Sequence, residues 1–228
     1  MAKLNSPVTT LKQEVLSGME FLLRTYDFRK REQQFEKGIQ EFNQIVHLGF
    51  LDNRAEQRVS VVLNFGVRHN RIEEIVHSWR TDLSEREKRS TATVGTEYGR
   101  LIEGRQILWH VGSTEDAKLA IGQIFDAVLK RGLSYLEQYS NLGQIAAMLG
   151  SKNPRDWQGQ LAGGRALRLP LAYVFLGDRE RACREFVQQY GYLKSLDDLL
   201  VKDYPGYVAH VCREFNLDNP LEKTDGEI

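Results

Sequence analysis

The first third of the chain changes from a helical pattern to a strand pattern. In residues 8–26, apolar side chains recur every three or four positions, and Ser6 followed by Pro7 is typical of a helix start. From about Arg31 the period becomes two, and it is clearest in residues 56–67, where apolar positions alternate strictly. Short polar connections between these strands predict antiparallel neighbours.

Other segments continue the two patterns. Strand-like alternation recurs at residues 32–37, 42–51, 91–98 and 105–111, which gives about five strands. A helix is predicted at residues 71–79, and from Ser113 onward the pattern is helical. The helices predicted there cover residues 113–129, with Gly132 as the stop, and 133–139, 142–149, 161–176, 179–190, 196–201 and 207–215.

This order of elements predicts an α+β fold. We expect an N-terminal antiparallel sheet of about five strands with helices on one face, followed by an all-helical C-terminal part. The 228 residues fit one large domain or two small ones. We place a boundary between a sheet domain at 1–140 and a helical appendage, packed on it, at 141–228.

Charge restricts the choice of partner. Lys and Arg number 31, as do Asp and Glu, so the formal net charge is zero. No overall positive field therefore draws the chain to nucleic acid or anionic lipid. The basic clusters at 29–31 and 85–89 are interleaved with or followed by acids, which favours a solvated surface. Nucleic acid is disfavoured as a partner, and a homo-oligomer is left open.

The first residues and the small number of cysteines predict the cellular compartment of the protein. Residues 1–16 lack the continuous apolar region of a signal peptide, and no stretch approaches the ~20 apolar residues of a membrane helix. Two cysteines, Cys183 and Cys212, do not make a disulfide scaffold and are interpreted as small buried thiols. We expect a cytoplasmic protein without membrane contact.

Motifs for known chemistry are missing from the sequence. The paired glycines Gly163 and Gly164 lack the spacing and the Lys-Ser/Thr pair of a phosphate-binding loop. There is no Gly-x-Ser-x-Gly nucleophile motif, and no two histidines have His-x-x-x-His spacing. No cofactor, metal ligand or catalytic residue is therefore predicted from motifs.

Strand parity gives one candidate site. If the strictly alternating apolar residues face the core, the opposite face of the sheet presents His47, Asn64, Glu97 and His110, with Arg68 near its edge. Two histidines and a carboxylate on one face suit a small anion, a metal or acid–base chemistry. The alternative is an ordinary solvated sheet face.

Residues 21–37 resemble a family of bacterial domains of unknown function. The text Phe-Leu-Leu-Arg-Thr-Tyr-Asp-Phe-Arg-Lys-Arg-Glu-Gln-Gln-Phe-Glu-Lys looks like that family's first helix, basic step and following aromatic, with Asp27 in place of the usual glycine. The likeness covers roughly residues 5–140. It implies the fold of a helix followed by a meander of strands and assigns no chemistry. Similar domains occur among immunity- and defence-associated proteins.

Residues 172–186 look like the centre of a single tetratricopeptide-type helical hairpin. Tyr173, Ala182 and Phe186 have the spacing of that motif, and small Ala182 would let two helices approach closely. No second copy follows at the period of the repeat. The alternative interpretation is an ordinary pair of antiparallel helices.

We therefore predict a non-catalytic protein-binding module as the leading function. Aromatic residues in or beside the loops of the C-terminal part are candidate anchors for a partner or for closing that part onto the sheet domain: Trp157, Tyr190, Tyr192, Tyr204 and Tyr207. The alternative is a small-molecule- or metal-binding enzyme that uses the polar face of the sheet.

Overall fold

The structure, a computed structural model, describes residues 6–80, 82–153 and 161–222. These residues form two compact units. The sheet unit extends to Arg68 and resumes at Val94–Ser140, and the helical unit comprises His69–Thr93 and the described residues from Asn141 onward. Among the described residues, no helix is both long and apolar enough to cross a membrane.

The strands all lie before Gly112. They are β1 (Arg29–Arg31), β2 (Gln34–Ile39), β3 (Phe42–Asn53), β4 (Arg58–His69), β5 (Val94–Glu97) and β6 (Trp109–Val111). The sheet has the order β1-β2-β3-β4-β5, and β6 also pairs with β4. The pairs β1–β2, β2–β3, β4–β5 and β4–β6 are antiparallel. No strand follows Val111 in the described residues, so the predicted α+β fold with an N-terminal antiparallel sheet is confirmed.

The α-helices are α1 (Pro7–Leu23), α2 (Asn70–Trp79), α3 (Glu85–Ser90), α4 (Tyr98–Glu103), α5 (Thr114–Ala127), α6 (Leu133–Tyr139), α7 (Leu142–Leu149), α8 (Ala162–Phe175), α9 (Arg179–Ser195) and α10 (Tyr204–Phe215). Most of them lie where the periodicity predicted them, but α3 and α4 were not predicted. Ser6 caps α1 as expected, since its side chain accepts a hydrogen bond from the Thr9 amide. A short 3₁₀ helix, Leu199–Lys202, precedes α10.

The core of the sheet unit centres on Phe65 of β4. Its ring contacts Tyr98 and Tyr135 edge-on or tilted, with ring centroids 6.4 Å and 6.2 Å away. The alternating residues that predicted β4 are buried, including Val59 and Val67. The period-two pattern therefore identified the buried face of the strand correctly.

Gly132 does not stop a helix, contrary to the prediction. A π-helical segment, Val128–Gly132, connects α5 to α6 without a break. A Cβ at Gly132 would come within 2.4 Å of Cε1 of Phe65. The glycine is therefore needed for close packing on Phe65, which has nothing to do with helix termination.

The helical unit contains a hairpin of α8 and α9. Gly177 has a φ of 82°, which favours glycine, and the Asp178 side chain caps α9 by accepting from the Arg181 amide. Tyr204 and Tyr207 are fully buried, and their hydroxyls donate to the Ala166 and Leu167 carbonyls.

Burial corrects part of the aromatic-anchor hypothesis. Because Tyr204 and Tyr207 lie in the core of the helical unit, they are not available as surface anchors. Tyr190 is half-buried and stacks on Tyr204 with ring centroids 6.0 Å apart. Trp157 lies outside the described residues.

Candidate functional site

The predicted residues of the sheet face lie on β3, β4, β5 and β6. The strand register sets Asn64 opposite Glu97 and Ser60 opposite His110. Cross-strand partners point to the same face of a sheet, so Asn64 and Glu97 share a face and are neighbours on it. Arg68 has the same parity as Asn64, four residues further along β4.

Three of the five predicted residues come together. The Asn64 amide nitrogen lies 3.4 Å from Nδ1 of His47, and Gln106 donates a 3.2 Å hydrogen bond to Oε2 of Glu97. The other oxygen of Glu97, Oε1, is buried and accepts no hydrogen bond from the described residues. Burial lowers the pKa of His47, which favours the neutral imidazole.

His110 lies away from this group. Its Nδ1 is 2.8 Å from the Ser60 hydroxyl, and Ser60 is four residues from Asn64, or ~13 Å along the strand. No group of three His, Cys, Asp or Glu side chains in the described ranges could hold a metal ion. Binding at this face stays a prediction for a small ligand at His47, Asn64 and Glu97.

A second candidate site, which the sequence did not predict, lies in the helical unit. It is a cleft of about 1110 Å³. The end of α2 and the residues after it, the start of α8 and the segment from Asp198 into α10 line it. This volume is slightly above the ~300–1,000 Å³ that is usual for small-molecule pockets.

A buried ion pair lies beside the cleft. Glu73 is 0% exposed, and Arg168 donates to both of its carboxylate oxygens, from Nε at 2.7 Å and Nη2 at 2.8 Å. Thr93 donates a 2.9 Å hydrogen bond to Oε1 of Glu73, and Nη1 of Arg168 donates to the Gly164 carbonyl at 3.2 Å. Burial alone would lower the pKa of Arg168, but Glu73 more than offsets this and raises it. The pair is therefore charged and fixed in position.

His77 and Thr91 also line the cleft, in a geometry that does not activate a nucleophile. Nε2 of His77 lies 3.0 Å from the Thr91 hydroxyl, which donates its own proton to the Lys88 carbonyl at 2.9 Å. Nε2 of His77 must then carry the proton of the contact to Thr91. Glu73 lies 3.6 Å from the same nitrogen. In this arrangement the Thr91 proton points to the Lys88 carbonyl and not to His77.

The described lining of the cleft includes both apolar and charged side chains. Leu199 is 94% exposed and Leu161 is 80% exposed, although both are large aliphatic side chains. Arg80 on the other side forms a two-point hydrogen bond with Asp82, at 2.7 and 2.8 Å. Asp198, Lys202 and Asp203 also line the cleft.

A signal for this site is present in the sequence. Glu73 and His77 are four residues apart in a helix whose apolar stripe includes Ile72 and Val76, so all four share one face. A carboxylate on a buried stripe requires a cation, and Arg168 interrupts the most apolar run of the chain. Glu73 and Arg168, the two charged residues at otherwise apolar positions, are thus the partners of one ion pair, although they lie 95 residues apart.

Comparison with known proteins yields no relative from which function could be transferred. The chain matches no protein-family model, no curated protein and no solved structure. The resemblances of residues 5–140 and 172–186 therefore stay predictions, and function has to be argued from the geometry of the two candidate sites.

Proposed function

We propose that this chain is a cytoplasmic protein-binding module without catalytic activity. Its cleft in the helical unit holds a segment of another protein, one that carries apolar side chains and a basic residue. The observation that carries this proposal is the exposure of Leu199, 94%, at the rim of a large cleft. A place in bacterial immunity or defence rests on the resemblance of residues 5–140 alone.

The apolar part of the argument concerns the exposed leucines. Leu199 and Leu161 line one cleft from segments that are 38 positions apart in the sequence. A partner that covers both leucines would turn them into one contiguous apolar contact, the kind of surface that marks interaction sites. Each leucine that a partner covers gains roughly 1.5–3 kcal/mol from burial. A short apolar segment is a suitable occupant.

Charge favours a basic residue in that segment. Glu73 already binds Arg168, and Asp82 already binds Arg80, so neither acid offers its charge to a partner. Asp198, Asp203 and Lys202 line the cleft and form no ion pair among the described residues, so these three side chains together carry one negative charge. A Lys or Arg of the partner would complement it, mainly by improving specificity and the rate of association.

The rigid surroundings of the cleft support binding over catalysis. The ion pair of Glu73 and Arg168 uses the polar groups that could otherwise bind a substrate, and His77 serves as a donor to Thr91. A fixed surface lowers the entropic cost of binding a partner.

The test fills the cleft without disturbing the fold. Gly206 lines the cleft, and a Cβ at this position would meet no other group within 4 Å. Gly206→Leu should therefore keep or raise stability, by about 0.5–1 kcal/mol, because leucine favours helices more than glycine does. Peptides selected from a random display library against the wild-type protein should lose binding to this variant, as measured by fluorescence anisotropy.

Matched controls lie outside the cleft. Gly191 in α9 also has open space around it, so Gly191→Leu should bind the selected peptides like the wild type. Leu199→Asp should abolish binding, whereas Leu196→Asp, at an exposed position that does not line the cleft, should not. Equal binding by Gly206→Leu and the wild type would refute the proposal. A dimer that Gly206→Leu dissociates would assign the cleft to a second copy of the chain.

The sheet face supports a second candidate function, the binding of a small molecule. The specific observation is Oε1 of Glu97, a buried acceptor that receives no hydrogen bond within the described residues. A ligand with an amide or amidine donor would satisfy it, beside His47 and Asn64. Chemical shifts of these three residues in an NMR screen of small hydrogen-bond donors would detect such a ligand. If only other residues respond, this candidate is wrong.

A further inference from the structure

The two cysteines of the chain meet at one backbone oxygen. Sγ of Cys183, in α9, lies 3.9 Å from the carbonyl oxygen of Asp218, and Sγ of Cys212, in α10, lies 3.7 Å from the same atom. The sequence holds no other cysteine. Although 28 residues separate them, the two thiols are thus neighbours on adjacent helices.

The two thiols differ in exposure. Cys212 is 4% exposed, whereas Cys183 is partly exposed to solvent. Burial, and then the nearby Cys183, raise the pKa of the Cys212 thiol to about 11. An oxidant therefore reaches Cys183 first, and Cys212 is protected until a sulfur beside it becomes electrophilic. This is the arrangement of a reacting and a resolving cysteine.

We propose that Cys183 and Cys212 form a reversible intramolecular disulfide when the protein is exposed to hydrogen peroxide. The Cys183 thiolate attacks one peroxide oxygen, the O–O bond breaks and hydroxide leaves, which yields a sulfenic acid. The Cys212 thiolate then attacks that sulfur, the S–O bond breaks and a second hydroxide leaves. In sum, two thiols and one hydrogen peroxide give one disulfide and two waters.

The disulfide would change the helical unit locally. The sulfurs must approach to about 2.05 Å, which requires both side chains to turn toward each other and away from the Asp218 carbonyl. The bond joins α9 to α10 and removes both thiol contacts from the Asp218 carbonyl. We expect a higher melting temperature for the oxidised protein, because the bond restricts the unfolded chain.

The second step has a characteristic pH dependence. The nucleophile is the Cys212 thiolate, which is a small fraction of the thiol at neutral pH. The rate of disulfide formation from the sulfenic acid should therefore rise about tenfold per pH unit below the pKa of that thiol. A rate that does not change between pH 7 and pH 9 would exclude Cys212 as the resolving residue.

The experiment treats the purified full chain with hydrogen peroxide, alkylates it and measures its mass without reduction. The expected product has lost two hydrogens, and peptide mapping joins the segments around Cys183 and Cys212. Cys212→Ser should accumulate a sulfenic acid at Cys183, which dimedone traps, and Cys183→Ser should resist the same dose. Both variants should show the circular dichroism of the wild type.

Three outcomes would overturn the inference. The first is alkylation of both thiols after oxidation. The second is a sulfinic acid at Cys183 beside an alkylated Cys212. The third is a disulfide between two chains, recognised as a dimer that a reductant dissociates. Each would show that the two sulfurs do not react with one another within one molecule.

Discussion

The two units place their polar groups differently. In the part of the chain that the structure describes, eight polar residues are buried. Six of them, including Glu73 and Arg165, belong to the helical unit, and two, Gln44 and Thr96, belong to the sheet unit. The sheet unit thus buries mainly apolar residues that alternate along strands, whereas the helical unit also buries charges. Charged groups are stable inside a protein only with specific partners. The helical unit therefore depends on pairs that are distant in sequence.

The largest loss in the sheet unit should come from Phe65→Ala. The change removes a fully buried ring between Tyr98 and Tyr135 and leaves a cavity, which should lower the free energy of unfolding by ~3–5 kcal/mol. Asn64→Ala, one residue away on the other face, loses only the contact to His47 and should cost ~0.5–1.5 kcal/mol. Equal losses in urea unfolding would mean that both faces of β4 are packed alike.

A comparable loss in the helical unit should come from one half of the ion pair. Arg168→Met leaves the carboxylate of Glu73 buried without its cation and should cost ~3–5 kcal/mol. The double variant Glu73→Leu with Arg168→Met removes both charges and should regain most of that loss. If the losses of the two single variants simply add in the double variant, the helical unit does not depend on this charge pair. The proposed difference from the sheet unit, where the loss in Phe65→Ala arises from a cavity, would then be wrong.

The same difference explains what could be predicted. Strand β4 was predicted correctly because alternation is local and Val59 to Val67 record it residue by residue. The cleft was not predicted, because the ion pair beside it joins Glu73 to Arg168, and no local pattern connects positions 95 residues apart. For the predicted sheet face, the alternation along the strands correctly placed Asn64 and Glu97 on the same side of the sheet. It could not give the position of His110 along β4, which depends on register.

Gly132→Ala is expected to have an intermediate effect. In an ordinary helix, alanine would be favourable by about 0.8–1 kcal/mol, but here its Cβ would come within 2.4 Å of Cε1 of Phe65. We expect a net loss of ~1–3 kcal/mol from overpacking. In a Phe65→Leu background, where the ring is absent, the same substitution should cost less. A stabilising effect in the wild type would show that the packing on Phe65 does not require glycine at this position.

The smallest expected effect concerns the pH dependence of the sheet unit. Burial lowers the pKa of His47 in the folded protein, so the unfolded chain binds a proton more readily, with a pKa of about 6.5. Stability should therefore be full above this value, fall as the pH drops through it, and level off below the folded pKa. Urea unfolding between pH 8 and pH 4.5 should show this component in the wild type and not in His47→Gln.

Asn64→Ala is the control: it removes the contact to His47 and keeps the histidine, so the component should persist if burial is its cause. If the pH-dependent component disappears in Asn64→Ala, the lowered pKa of His47 depends on its contact with Asn64. The polar residues of the sheet face would then depend on specific partners, as the buried charges of the helical unit do.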